Sequence, residues 1–191
     1  IFLVSPSDAC DLTLDPNTAN KKLSLSEGNK KAKYGQSQSY PDHPERFMKY
    51  PQVLCKEGLS GCHYWEVDWG TSSKEIVYVA VAYKRIDRAR DSSDSKFGKN
   101  TTSWTFGKYS STGEHVLEAH HIYNVWNKSF IAATCDRIGV YLDWYDGTLS
   151  FYKVSSDTLT HLYTFRTTFT EPVYPGFWIG RESFAFLRPL K

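Results

Sequence analysis

The chain has 191 residues, 40% hydrophobic and 16% aromatic, enough to bury a substantial core as one domain. Lys and Arg number 23 against 21 Asp and Glu, a net charge of +2, which argues against a nucleic-acid or membrane surface built on a broad basic field. No apolar run approaches the roughly 18 residues of a membrane span. Residues 1–4 are apolar but too short for a signal-peptide core, and the missing initiator Met reads as a segment of something longer.

In residues 5–14, Ser7 or Asp8 can cap a short helical turn. Residues 23–26 (LSLS) form a short strand, and residues 27–30 (EGNK) a turn. Residues 36–46 (QSQSYPDHPER) are polar and carry two prolines, which suits a loop or a sheet edge. Residues 63–69 (HYWEVDW) alternate, with His63, Trp65, Val67 and Trp69 on one face. Residues 75–83 (EIVYVAVAY) are apolar on both faces, the signature of a central strand buried on both sides. Residues 84–102 read as a long exposed loop, and residues 103–109 as a strand with Trp104 and Phe106. Residues 110–127 read as irregular, loaded with His115, His120, His121, Tyr123 and Trp126.

Residues 129–134 lead into the clearest signal, residues 137–152 (RIGVYLDWYDGTLSFY). Ile138, Val140 and Leu142 alternate, an Asp-Gly turn follows, and Leu149 and Phe151 resume the alternation. That is an antiparallel hairpin. Residues 162–165, 173–179 and 183–187 supply closing strands. With no sustained 3.6-residue period and no internal repeat, the chain reads as all-β, two packed antiparallel sheets after a short N-terminal helical turn.

The four cysteines, Cys10, Cys55, Cys62 and Cys135, show no CxxC spacing, and Cys62-His63 has no second pair to complete a zinc site. They read as reduced thiols in or near the core. A Cys55–Cys62 bridge is sterically open but needs an oxidising compartment, as do the glycosylation triplets at Asn100 and Asn127.

Five motifs in order carry a resemblance: residues 14–20 (LDPNTAN), 40–47 (YPDHPERF), 61–67 (GCHYWEV), 142–152 (LDWYDGTLSFY) and 173–177 (VYPGF). They resemble the PRY-SPRY domain family over nearly the whole chain. The C-terminal residues 179–190 depart from the Leu-Thr-Ile-Cys-Pro-like ending common among tripartite-motif and butyrophilin members. The resemblance implies a bent two-sheet β-sandwich, a concanavalin-like jelly roll, with residues 1–10 as an extension. The PRY part then covers about residues 11–55 and the SPRY part about 56–191. It also implies a non-catalytic module without cofactor or metal that binds a protein partner, not nucleic acid, within a larger chain able to form oligomers. The resemblance is read first as the target-recognition end of an innate-immune tripartite-motif ubiquitin ligase or NOD-like receptor, with the C-terminal module of a pore-forming fish-venom cytolysin subunit, or a butyrophilin-like ligand sensor, as the alternative. A tripartite-motif or NOD-like host places it in the cytoplasm, and a cytolysin host places it in the secreted fraction.

In relatives, variable loops set specificity. Here these match residues 31–50, 84–101 and 108–127, with a smaller part at 155–160. Long polar loops on a rigid scaffold are also where physical reasoning puts binding residues, with Tyr, Trp and Arg as anchors. The candidates are Tyr34, Tyr40, Arg46, Tyr50, Arg85, Arg88, Phe97, Tyr109, Tyr123 and Trp126. Tyr109 falls where some relatives place a partner-contacting tryptophan. A glycosidase reading needs two flanking acids; Glu66 and Asp68 begin such a pattern, but Thr71 stands at its third position. A butyrophilin-like sensor of small phosphorylated ligands would need Lys49, Arg85, Arg88, Arg90 and Lys108 to converge, against the interleaved Asp87, Asp91 and Asp94.

Overall fold

Alternating side chains build the strands, and the stacking of their aromatic faces builds the domain. The computed structural model describes residues 6–71, 76–111, 113–130, 135–156 and 158–190. A single 3-10 turn, Pro6–Asp8, stands where the helical turn was expected. The strands among the described residues are β1 (Leu23–Ser26), β2 (Lys31–Tyr34), β3 (Gln52–Leu54), β4 (Cys62–Thr71), β5 (Ile76–Tyr83), β6 (Ser103–Ser111) and β7 (Glu114–His121). They continue as β8 (Asn124–Phe130), β9 (Arg137–Asp143), β10 (Thr148–Ser155), β11 (Thr158–Arg166), β12 (Val173–Ile179) and β13 (Ser183–Leu187).

Two antiparallel sheets result. A seven-stranded sheet has the order β1-β2-β13-β4-β9-β10-β11, and a six-stranded sheet the order β3-β12-β5-β6-β7-β8. The hairpin of β9 and β10 is as expected: Val140 pairs with Phe151 and Leu142 with Leu149. Its turn needs glycine, because Gly147 has φ +74° and a Cβ there would fall 1.9 Å from the Thr167 carbonyl oxygen.

Between the sheets, Phe106 stacks on Phe151 at 4.7 Å and on Trp69 at 6.3 Å, so one ring of the six-stranded sheet is held by two of the other. Phe106 is fully buried. Lys108, on the same strand, is buried too; its ammonium donates to the Cys135 carbonyl at 2.8 Å and lies 5.4 Å from the Trp69 ring.

β5 is buried on both sides, as its composition predicts. Val77, Val79 and Val81 enter the main core, while Ala80 and Ala82 join Phe47, Leu54, Ile86 and Phe97 in a second cluster on the outer face. The loops carrying Phe47 and Phe97 descend there, their rings meeting edge to face at 5.3 Å.

One reading is overturned. Residues 110–127 are not irregular: they complete β6, form β7 and start β8, and residues 129–130 end β8 instead of leading into the hairpin. The inward set of β7 includes only Leu117 and Ala119 as buried apolar groups, and Glu118 and His120 point the other way. So small an apolar stripe among histidines hides the period of two. Residues 131–134 lie outside the described residues. The cysteines are thiols, Cys55 buried and Cys62 exposed, and no Cys55–Cys62 bridge forms. Burial pushes the Cys135 thiol up to about 11.

Candidate partner-binding groove

Register across the six-stranded sheet makes the site. Trp178 of β12 stands opposite Tyr78 of β5, Tyr78 opposite Gly107 of β6, and Gly107 opposite Glu118 of β7. The neighbouring row brings Ile76 beside Tyr109. These residues share the outer face, where side chains two apart along a strand emerge together. They line a cavity of about 330 Å³, walled on one side by Lys96, Phe97 and Lys99 of the long loop. Such a volume suits one or two large side chains. A second cavity shares Ile76 and Trp178 and extends the groove to Tyr34 and Arg181.

Gly107 shapes the floor. A Cβ there would come within 2.0 Å of Tyr78 Cδ1, so glycine is what lets the Tyr78 ring lie across β6. Trp178 meets Tyr78 edge to face at 5.6 Å, and its indole N–H has no acceptor among the described residues. Glu118 is engaged on two sides, by His120 Nε2 and by the Tyr78 hydroxyl. Lys99 Nζ lies 3.1 Å from His120 Nδ1, so the imidazole accepts there while its Nε2–H faces the carboxylate. Burial, and then the Glu118 charge, push the Tyr78 hydroxyl up. Burial lowers the Lys99 ammonium despite Glu118, and Lys96 adds to the lowering.

The loop is held from below. Asn100 Nδ2 donates to the Ser93, Asp94 and Lys96 carbonyls at 2.9, 3.1 and 2.9 Å, so this glycosylation triplet is a loop tie in the fold. Buried Gln52 donates to the Ser95 carbonyl and accepts from the Phe97 amide, both at 2.8 Å.

Of the expected partner residues, Tyr109, Phe97 and Tyr34 line the groove system, though Phe97 is only 4% exposed and serves as wall and core. The others lie elsewhere. Arg46 is buried, donating to the carbonyls of Pro41, Pro16 and Ala19, and it stacks on Tyr40, whose hydroxyl donates to the Leu23 carbonyl at 2.6 Å. Arg88 lies over Phe47 and donates to the Glu45, Ile86 and Lys84 carbonyls. Trp126 faces inward, packing on Phe106 and Tyr163. As partner contacts, Arg46, Arg88, Phe97 and Trp126 are corrected to scaffold: each satisfies buried groups or fills core space. Arg85 is exposed and paired with Glu171 at 2.7 Å; Tyr50 is half-buried beside Asp91 and Lys96; Tyr123 is 96% exposed at the β7–β8 turn.

Ile76, Tyr78, Lys96, Lys99, Glu118, His120 and Trp178 are groove residues that the sequence does not single out as partner contacts. With β7 established as a strand, residues two apart put Glu118 and His120 on one face; nothing local pairs them with Trp178. Four of the five basic residues are engaged separately: Lys108 is in the core, Arg85 is on Glu171, Arg88 is on Phe47, and Arg90 is shared by Asp87 and Asp94. Glu66 accepts from the Tyr64 hydroxyl at 2.7 Å within β4, and Asp68 is held by Arg137 and Arg188 at 2.7 and 2.8 Å, which makes it a tie from β4 to its neighbours.

The SPRY domain family matches residues 62–191, and PRY, the SPRY-associated domain, matches residues 12–59. The chain belongs to the SPRY family. Among relatives of this PRY-SPRY domain, neoverrucotoxin subunit alpha of Synanceia verrucosa is 48% identical over 176 residues, which is 90% of this chain and 24% of the relative. The stonustoxin structure superposes with a TM-score of 0.85 at 43% identity, over 95% of this chain and 29% of that one. The TRIM65 PSpry domain gives a TM-score of 0.80 at 28% identity, over 96% and 92%. The PRY-SPRY domain thus spans about a quarter of the length of its toxin-subunit relative. The two-sheet sandwich implied by the five motifs is the observed fold.

Proposed function

We propose that this PRY-SPRY domain is a recognition module without chemistry of its own, and that it binds a protein partner in the groove over Tyr78, Tyr109 and Trp178. One observation carries the reading: a row of large aromatic and aliphatic side chains stays open on the outer face of a rigid sheet, while the neighbouring part of that face, over Ala80 and Ala82, is roofed by loops. Aromatic residues in a concave, partly desolvated setting are what interface anchors are made of. The carboxylates of the incomplete glycosidase pattern, Glu66 and Asp68, are tied to Tyr64, Arg137 and Arg188.

The proposed host is a cytolysin-like toxin subunit, where the module would engage a sister subunit or a target surface. The favouring observation is the 43% identity to the stonustoxin structure against 28% to the TRIM65 domain. On this reading the domain is secreted; a tripartite-motif or NOD-like host would make it a cytoplasmic target reader. Peptide mapping of the native polypeptide upstream of Ile1 separates these: zinc-spaced Cys and His pairs would overturn the cytolysin host.

The groove itself is tested with a photo-crosslinking residue placed at Tyr109 and, as a control, at Tyr145, which is 79% exposed on the β9–β10 turn. In an extract of the native tissue, position 109 is expected to capture a defined protein that position 145 does not. Equal capture at both, or capture at 145 alone, would overturn the groove.

A further inference from the structure

The groove carries more positive charge than its one acid offsets, two lysines against Glu118. Lys96 and Lys99 both line it, and among the described residues neither has a carboxylate within ion-pair distance. The one acid in that cavity, Glu118, is already occupied by His120 and the Tyr78 hydroxyl. Lys96 Nζ is held against aromatic faces instead, 5.9 Å from the Trp178 ring and 5.7 Å from that of Tyr50. Lys99 Nζ lies 3.1 Å from His120 Nδ1, a contact that brings it no negative charge.

The apolar part of the groove lies beside these ammonium groups. Ile76, the first residue of the central strand β5, is 37% exposed and stands next to Tyr109. An occupant therefore meets an apolar wall and two lysines within one cavity.

We propose that the groove accepts an extended partner segment in which an acidic side chain neighbours an apolar one, its carboxylate bonding Lys96 and Lys99 while the apolar group covers Ile76 and Tyr109. This rests on the groove being the binding site. Partly desolvated lysines without an anion are costly to cover with an uncharged partner, and an incoming carboxylate offsets that cost. The burial that lowers the Lys99 ammonium points the same way. Two lysines beside an aromatic wall also discriminate against a basic segment through like-charge contact.

The test is selection of random twelve-residue peptides, displayed on phage, against the immobilised 191-residue chain. The expected enrichment is Asp or Glu adjacent to Leu, Ile, Phe or Trp. A synthetic peptide of the winning sequence should lose at least about tenfold in affinity on Lys96→Glu with Lys99→Glu, about 1.4 kcal/mol, and keep its affinity on Lys96→Arg with Lys99→Arg. Tyr109→Ala should weaken it as well. Peptides that need Tyr109 but are basic or uncharged, and that ignore the charge reversal, would overturn the acidic segment and leave the groove standing. Peptides indifferent to Tyr109→Ala, or no selected sequence, would overturn both.

Discussion

The outer face of the six-stranded sheet has two halves built on the same strands and used in opposite ways. Where β5 carries Ala80 and Ala82, the loops come down: Phe47 and Phe97 fill the space, and Arg46, Arg88, Gln52 and Asn100 fasten the backbone above them. Where β5 carries Ile76 and Tyr78, with Trp178 and Tyr109 beside them, the sheet fills its own surface and the loop stops at the rim. Small residues invite a roof, and large ones leave a floor. Aromatic residues thus do different work a few ångströms apart, sealing one half and offering the other to a partner.

The comparison can be broken most forcefully from beneath. Phe106→Ala removes the ring that joins the sheets under both halves and should cost about 3–5 kcal/mol, read as a lowered denaturation midpoint. Arg46→Met attacks the roofed half alone. It leaves several carbonyls without a donor and should cost about 2–4 kcal/mol by denaturant unfolding; an unchanged midpoint would return Arg46 to the list of partner contacts.

The open half responds differently. Gly107→Ala forces the Tyr78 ring off β6 and should cost about 1–3 kcal/mol through overpacking, with loss of peptide binding beyond what instability explains. Tyr109→Ala should change stability by less than about 1 kcal/mol while weakening peptide binding at the groove. A large stability loss with unchanged binding would make Tyr109 scaffold.

The smallest effect is on acid stability. His121 lies on Trp104 at 4.5 Å, with Nδ1 2.7 Å from the Ser103 carbonyl, and burial holds its imidazole below the ordinary histidine value. Below about pH 6.5, the unperturbed value, the unfolded chain takes up a proton that the folded chain resists. Stability is then full above that pH and falls as pH drops toward the lower folded value. His121→Gln should flatten this slope in unfolding midpoints measured from pH 7 to 5; an unchanged slope would assign the acid response elsewhere.

Much of the fold was legible. The alternation of residues 137–152, the both-sided apolar run of β5 and the five ordered motifs each led to the structure that formed, because hairpins and buried strands are encoded by neighbours in sequence. β7 escaped, since its inward residues are too small and too mixed with histidine to show a period. Among candidate residues, Tyr109 was placed in the groove, while Arg46, Arg88 and Trp126 looked like surface anchors and proved to be packing. Residue type alone cannot tell a guanidinium that binds three carbonyls of its own chain from one that awaits a partner.

The sequence by itself determined the all-β class, the central hairpin, the family and the presence of long polar loops, all properties of local pattern and ordered motifs. Only the tertiary structure decided which residues share the groove. Trp178, Tyr78, Gly107 and Glu118 become one row because four strands from distant parts of the chain pair in a particular register. A shift of one residue in any of those pairings would turn that strand's side chains to the opposite face, and no local pattern records which register the sheet adopts.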